Sequence, residues 1–289
     1  MKAIFEKITI DDTASIRVYD FENTHFDAPW HYHPEFELTL ILKSKGKRYV
    51  GSSIADFSPG DLVLIGPNLP HIWKNSSVKQ KRDRKSRAIV IHFSEEFING
   101  NFFNYKEMKQ LKNMLYAARY GLIFNKESLD RIIPLIKNLP SLNGFEKILA
   151  FLTILHKLSV SSSISRLNGN GFLPKLDINS SERINTVCKH IYSNFNNKIT
   201  LKNVADIAGM NENAFSRYFK NLVGTSLSKF IIKVRINHAC FLLIESDLTV
   251  AEICYECGFN TISNFNRRFK NVNGIAPVEF RTKHNQKLA

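Results

Sequence analysis

The sequence predicts a two-domain chain: a β-rich N-terminal half followed by helices, then an all-α C-terminal half built from one unit used twice. Three observations carry that reading. The first hundred residues show a two-residue hydrophobic period broken by Gly and Pro turns, and the period becomes helical from about Asn104. The stretch Phe219-Lys220-Asn221-x-x-Gly224 then recurs as Phe269-Lys270-Asn271-x-x-Gly274. Strict alternation marks half-buried strands, a 3.6-residue spacing marks helices, and self-similarity at a fixed offset marks one structural unit built twice. With 289 residues, 44% of them hydrophobic, the chain is long enough to bury two ordinary cores.

In the β-rich part, Phe36, Leu38, Leu40 and Leu42 alternate with Glu37, Thr39 and Ile41. Turns are expected at Lys45-Gly46-Lys47, Ser58-Pro59-Gly60-Asp61 and Gly66-Pro67-Asn68. Many short strands between such turns favour an antiparallel sandwich or barrel. The polar, basic stretch 74–87 separates the apolar runs 62–65 and 88–93 and reads as a solvated hairpin loop.

Three helical faces follow: Leu111, Met114, Leu115 and Ala118; Leu129, Ile132, Ile133 and Ile136; and Ile148, Leu149, Leu152, Leu155 and His156. Helices in this place either cover the barrel or pair with a second copy, and the expectation taken here is a homodimer interface. Ser161-Ser162-Ser163 and Gly169-Asn170-Gly171 mark a linker. The expected domains are therefore 1–160 (barrel about 1–100, helices about 104–160), a linker at 161–180, and 181–289.

In the repeated half, Ser180-Ser181-Glu182 offers an N-cap region for a helix through Ile184, Val187, Cys188, Ile191 and Tyr192. The first unit starts near Thr200, with Leu201, Val204, Ala205 and Ala208 facing a core. Gly209 supplies the positive φ of a tight turn. Asn211 caps the next helix, in which Ala214, Phe215, Tyr218 and Phe219 turn inward. A long helix from about Ser226 to Ser246 joins the halves. The second unit begins at Thr249 with Val250, Ile253, Cys254 and Cys257, turns at Gly258, and continues through a helix at 261–271 that buries Phe265 and Phe269. Pro277 and Phe280 close the domain, and Arg267 answers Arg217. Two helices joined by a glycine turn, the second opened by an Asn in each copy, read as a helix-turn-helix.

Subtracting the core positions leaves Glu212, Asn213, Ser216, Arg217 and Lys220 on the first second-helix. On its counterpart it leaves Thr261, Ile262, Ser263, Asn264, Asn266, Arg267 and Lys270. Amides, hydroxyls and guanidinium groups are what read base edges; Asn bridges adenine and Arg bridges guanine, each worth roughly 1–3 kcal/mol of discrimination. Lys and helix N-termini suit phosphates, which position without specifying. The net charge of +14 and pI near 9.6 agree with a polyanionic partner.

Cys188, Cys240, Cys254 and Cys257 all lie in this half. Cys254 and Cys257 spell C-x-x-C, yet they align with Ala205 and Ala208, so packing is expected rather than redox chemistry or zinc. No secretory leader is read at Met1-Lys2-Ala3-Ile4-Phe5-Glu6, and no run approaches the roughly 18 apolar residues of a membrane span. A cytoplasmic protein with reduced thiols and no membrane partner is expected.

Residues 185–285 resemble the DNA-binding domain of the AraC/XylS family of bacterial transcription regulators. The resemblance rests on Ile253-Cys254-Tyr255-Glu256-Cys257-Gly258-Phe259, then Phe265, Arg267 and Phe269-Lys270, and on Gly274-x-x-Pro277-x-x-Phe280-Arg281. It implies a sequence-specific regulator whose partner is double-stranded operator or promoter DNA. Its two recognition helices would enter successive major grooves about one turn, or roughly 34 Å, apart. The family's base-reading positions fall on Asn213, Ser216 and Arg217, and on Ile262, Ser263, Asn264 and Arg267; Lys220, Thr261 and Lys270 complete the expected contact set. Ile262 departs from the polar residue common there, which leaves it a thymine methyl or nothing to touch. RNA polymerase is a further partner compatible with that role.

His31-x-His33-x-x-x-Glu37, Gly60-Asp61 and Pro70-His71 resemble the two short motifs of the cupin jelly-roll barrel. Residues 31, 33 and 37 share parity and would project to one side of a strand, with His71 arriving from a neighbour, although Pro34 can bulge that strand. Three imidazoles and a carboxylate suit Zn, Fe, Mn or Ni, and the same four residues suit the lining of a metal-free effector pocket. The resemblance implies a small-molecule effector, more often a carbohydrate than other classes, and no required cofactor. The protein is read as a regulator and not an enzyme; the alternative is a metal-dependent cupin enzyme with an attached DNA-binding domain.

Overall fold

The structure is a computed structural model and describes residues 3–10, 14–76, 85–94, 102–126, 129–168 and 182–285. The chain divides into two compact units: Glu6–Val50 with Ala55–Leu167, and Asn168–Ala289 with the short segments Met1–Phe5 and Gly51–Ile54. Eleven strands are described: β1 (Ile4–Phe5), β2 (Ile16–Asn23), β3 (His31–Tyr32), β4 (Phe36–Lys43), β5 (Gly46–Val50), β6 (Ser53–Phe57), β7 (Leu62–Ile65), β8 (His71–Asn75), β9 (Ser86–Phe93), β10 (Leu122–Phe124) and β11 (Ile164–Arg166). The larger unit also carries α1 (Lys109–Ala118), α2 (Ile133–Asn138) and α3 (Gly144–Ser159). The other unit holds α4 (Glu182–Asn194), α5 (Leu201–Ile207), α6 (Glu212–Val223), α7 (Leu227–Glu245), α8 (Val250–Glu256), α9 (Ile262–Asn273) and α10 (Pro277–Asn285).

Antiparallel pairing in the order β11–β10–β7–β4–β9–β2 builds one sheet, and β3, β8 and β5 are neighbours in the other. The expected period in β4 is present but serves two buried faces. Phe36, Leu38 and Leu40 sink into an apolar layer, and Phe36 stacks on Phe93 at 5.0 Å. Glu37, Thr39 and Ile41 face the opposite way, towards a cavity between the sheets, and are buried too. Each fully buried Leu, Val or Ile side chain contributes roughly 1.5–3 kcal/mol, so the strands of this layer are held by transfer from water.

The first expected turn is displaced. The chain reverses at Ser44–Lys45, with Ser44 at φ 89, and Gly46 is already in β5. A Cβ on Gly46 would collide with the Lys74 carbonyl oxygen, so glycine is there for close strand approach rather than for turning. The turns at Ser58-Pro59-Gly60-Asp61 and Gly66-Pro67-Asn68 lie where expected. Most of the basic loop, 77–84, falls outside the described residues.

The helical stretch after the sheets differs in two places. Residues 122–124 form β10, and α2 begins only at Ile133, with Pro134 in its first turn, so Leu129 and Ile132 lie in the turns before it. Proline's fixed φ and missing N–H suit a helix start, which sets that boundary. The buried side of α3 packs Phe151 on Phe93 at 5.1 Å, so α3 covers the sheet. The expected linker begins inside the fold, since 164–166 pair with β10 as β11; 169–181, including the expected Ser180-Ser181 cap, lie outside the described residues. In the other unit, α7 is buried on most of its sides, as a helix surrounded by others must be; it buries Phe230, Ile231, Val234, Ile236, Leu242 and Leu243, and with them the polar Lys233, Asn237 and His238.

Candidate nucleic-acid interface and imidazole cluster

The doubled unit is visible bond by bond. The first helix of each copy, α5 and α8, opens on a reciprocal cap. Thr200 Oγ1 accepts from Asn203 N at 3.2 Å while Asn203 Oδ1 accepts from Thr200 N at 3.4 Å. Thr249 and Glu252 repeat the exchange at 3.2 and 2.7 Å. The second helices start on a side-chain cap: Asn211 Oδ1 accepts from Ala214 N at 2.8 Å, and Thr261 Oγ1 from Asn264 N at 3.3 Å. Both stop alike, with Gly224 N donating to Lys220 O and Gly274 N to Lys270 O, each at 2.8 Å.

The cores beneath these helices repeat as well, with Phe215 against Phe219 at 5.5 Å and Phe265 against Phe269 at 5.7 Å. That packing turns the opposite faces outward. Asn213, Ser216, Arg217 and Lys220 on α6 are exposed, and so are Ser263, Asn264, Arg267 and Lys270 on α9. Arg267 NH2 donates to Asn264 Oδ1 at 3.3 Å, so two expected readers touch each other. Ile262 is exposed at 38%, while Thr261 spends its hydroxyl on the cap, which makes it a helix starter as well as an expected contact. A groove of about 1170 Å³ runs between Ser216 and Asn264 and is lined also by Lys198, Ser226, Ser228 and Tyr255. The sequence reading missed these four because they lie outside the repeated second helices.

The four thiols are free and buried. Burial pushes Cys188 up to about 12 and raises Cys240 and Cys257 further, which keeps them protonated packing groups.

In the larger unit, His31, His33, Glu37 and His71 converge: each offers one ligand atom, and these atoms lie within 4.8 Å of one another. The route differs from the expected one. His31 is on β3 and Glu37 on β4, strands of different sheets, with the chain irregular from His33 to Glu35. Pro34 cannot donate to a ladder and ends the strand. The residues therefore meet across the cavity, not by parity along one strand. His31 pairs with His71 across β3 and β8, and Glu37 stands opposite His92 across β4 and β9.

His92 was not singled out in the sequence. Its Nε2 lies 3.1 Å from Glu37 Oε2, the same distance as Nε2 of His33 and of His71. Three imidazoles thus share one carboxylate oxygen, and Thr39 Oγ1 donates to the other at 2.6 Å. Two of the far ring nitrogens are anchored from behind. This holds for His31, whose Nδ1 is 2.7 Å from Pro29 O, and for His71, whose Nδ1 is 2.8 Å from Leu69 O. Nδ1 of His33 and of His92 are buried without a hydrogen-bond partner among the described residues, His33 Nδ1 lying 3.5 Å from Glu35 Oε2. A carbonyl accepting from Nδ1 orients the ring and turns Nε2 inward, which is the outer-shell pattern of metal-ligating histidines, although here Nε2 of His71 lies against Glu37 and Nε2 of His31 against Glu6.

Burial lowers His31 to about 3 and His33 to about 4, so both are neutral and able to ligate. Burial alone would raise Glu37, but the charge of His71 and hydrogen bonds from three imidazoles hold its carboxyl well below the usual range. Burial opposes protonation of His71 too, and the Glu37 carboxylate outweighs it, leaving His71 raised. The cavity alongside measures about 490 Å³ and is lined by Glu6, Glu22, Asp27, Glu37, His31 and His92 with the rings of Tyr19, Phe21, Phe26 and Trp73.

Residues 204–283 match the family profile described as a helix-turn-helix domain. Among curated proteins, the uncharacterized HTH-type transcriptional regulator YdeC of Bacillus subtilis (strain 168) is 21% identical, over 90% of this chain and 88% of its own. The HTH-type transcriptional activator RhaS of Mannheimia succiniciproducens is 24% identical, over 88% of this chain and 89% of its own. Among solved structures, unsaturated fatty acid bound wild-type ToxT from Vibrio cholerae is 17% identical with a TM-score of 0.42, covering 94% of this chain and 97% of that one.

Proposed function

We propose that this chain, an AraC-type helix-turn-helix transcriptional regulator, reads a two-part operator or promoter duplex with α6 and α9 and takes its instruction from a small molecule in the barrel cavity. The observation that carries the reading is the pair of capped helices whose buried phenylalanines leave Asn213, Ser216 and Arg217, and Asn264 and Arg267, facing outward. On that basis the arginines and asparagines read base edges, Lys220 and Lys270 meet phosphates, and Ile262 meets a thymine methyl. The regulator acts in the cytoplasm, where operator duplex and RNA polymerase are its partners. It performs no catalysis of its own.

The cavity supports an uncharged, hydroxyl-rich effector such as a carbohydrate. Among the described lining residues are four carboxylates and four aromatic rings and no Lys or Arg. Carboxylates accept from hydroxyls, rings cover the apolar face of a sugar, and about 490 Å³ lies within the usual range for small-ligand sites. Of the four expected lining residues, His31 and Glu37 line that cavity, while His33 and His71 lie off its wall and approach it only through Glu37; the same four, with His92 beside them, remain candidates for a divalent metal. A homodimer is part of the same reading: α3 leaves Phe145 at 78% and Leu149 at 54% exposed, two apolar side chains one turn apart.

The test is selection of duplexes from a random pool by the full chain, followed by sequencing. Enrichment of two base blocks about one helical turn apart is expected. No enrichment over the input pool at moderate salt sinks the reading. The imidazole set also favours a metal-dependent enzyme as a second reading. Elemental analysis of protein purified without chelator, alongside assays for turnover of sugars or dioxygen, separates the two. A stoichiometric redox metal together with turnover supports the enzyme.

A further inference from the structure

Arg235 lies on α7, between the two helix-turn-helix units, and donates to three main-chain carbonyls. Its Nε meets Phe195 O at 2.7 Å, NH2 meets Asn197 O at 3.0 Å, and NH1 meets Gly258 O at 2.5 Å. Phe195 and Asn197 belong to the chain entering the first unit, whereas Gly258 is the turn of the second. The guanidinium carbon is also 5.7 Å from the ring centre of Phe259. A planar fork of five donors can hold three fixed acceptors at once; a lysine ammonium has no such preset geometry.

Gly258 supplies a second, independent contact at the same place. A Cβ there would fall 2.5 Å from Asn196 O and 2.7 Å from Asn196 Cα. The corresponding turn glycine of the first unit, Gly209, has nothing within 4 Å of such a Cβ. The turn of the second unit is thus seated on the backbone that leads into the first.

Arg281 on α10 provides the internal comparison. It donates from Nε to Leu243 O at 2.9 Å and from NH2 to Leu248 O at 2.6 Å, both on the chain entering its own unit. The helix after each unit therefore ties down the segment before that unit. Arg235 does this as well, and its NH1 reaches across to the other unit.

We propose that Arg235 is a positioning residue that sets the distance and angle between α6 and α9, and so the number of base pairs required between the two halves of the DNA site. The inference rests on both helices reading one duplex. Each added base pair moves the second half-site by about 3.4 Å and turns it by roughly 34°. Two recognition helices locked together cannot follow that displacement, while two loosely joined ones can.

The test uses the full chain and the duplex that the wild type selects, with one base pair inserted or removed between its halves. Wild type is expected to lose about tenfold or more in affinity on either change, the equivalent of roughly 1.4 kcal/mol. Arg235→Lys and Arg235→Ala bind the selected duplex more weakly, but their loss on changing the spacing shrinks to about threefold or less. Arg281→Lys keeps the wild-type spacing penalty and serves as the control for a lock confined to one unit. The proposal is overturned if Arg235→Lys, folded by circular dichroism, keeps the full penalty. It is equally overturned if the variant weakens on every spacing alike with a salt slope lower by about one, the mark of a phosphate contact. A wild type that selects a site yet tolerates the inserted base pair overturns this proposal alone; one that selects nothing overturns the DNA reading beneath it.

Discussion

Arg217 and Lys220 sit one turn apart on the exposed face of α6, and on the proposed reading they do different work. A guanidinium can bridge two acceptors on one guanine edge, whereas an ammonium is a point charge that suits any phosphate. Arg217→Ala should cost about 1–3 kcal/mol against the preferred base and relax selection at that position. Lys220→Ala should weaken all sequences alike and lower the salt slope by about one. Binding titrations on the selected duplex and on its single-base variants, at several salt concentrations, separate the two; equal effects from both substitutions would refute the assignment. The residue scale also shows what sequence could not reveal. His31, His33, Glu37 and His71 were legible because their types and spacings are unusual for a strand region. His92 was not, since a single histidine in the apolar run 88–93 carries no local signal until β9 is laid against β4. Likewise the parity argument for residues 31, 33 and 37 failed at Pro34, where the chain leaves one sheet for the other.

Elements with local causes were read well, and elements that depend on distant partners were not. Capping within four residues starts α5, α6, α8 and α9 at Thr200, Asn211, Thr249 and Thr261, close to each expected start, although only the cap at Asn211 was itself expected. Strands β10 and β11 are three residues each and exist because β7 and each other offer free edges, which no window of sequence contains. Glycines at element ends separate the same two kinds of cause. Gly274 closes α9 at φ 78, and a Cβ there would meet nothing within 4 Å, so Gly274→Ala should cost the left-handed penalty alone, about 1–2 kcal/mol. Gly258, at φ 77, carries that penalty and the collision with Asn196, so Gly258→Ala should be clearly the more destabilising. Urea unfolding of both variants checks the order; an equal loss would show that Asn196 yields at no cost.

On the scale of the whole molecule, the repeated half was legible as an architecture because duplication writes the same turn and cap signals twice. The number of protomers was not, since an interface between copies leaves only unspent apolar surface. Phe145 and Leu149 on α3 are the exposed apolar pair on which the proposed homodimer rests. Phe145→Asp with Leu149→Asp removes both apolar anchors without touching Phe151, which is buried beneath. Sedimentation equilibrium should find the wild type as a dimer and the double variant as a monomer with its β-sheet spectrum intact. A wild type that sediments as one chain, or a double variant that still pairs, rules out this face as the interface.

Strand β4 gives one side to the apolar layer and the other to the cavity wall, so whatever fills that cavity presses on a strand the unit cannot spare. Occupancy is then coupled to melting by mass action. A compound at a hundred times its dissociation constant adds about 2.7 kcal/mol to unfolding, and the proposed effector can be hunted by heat, with no operator in hand.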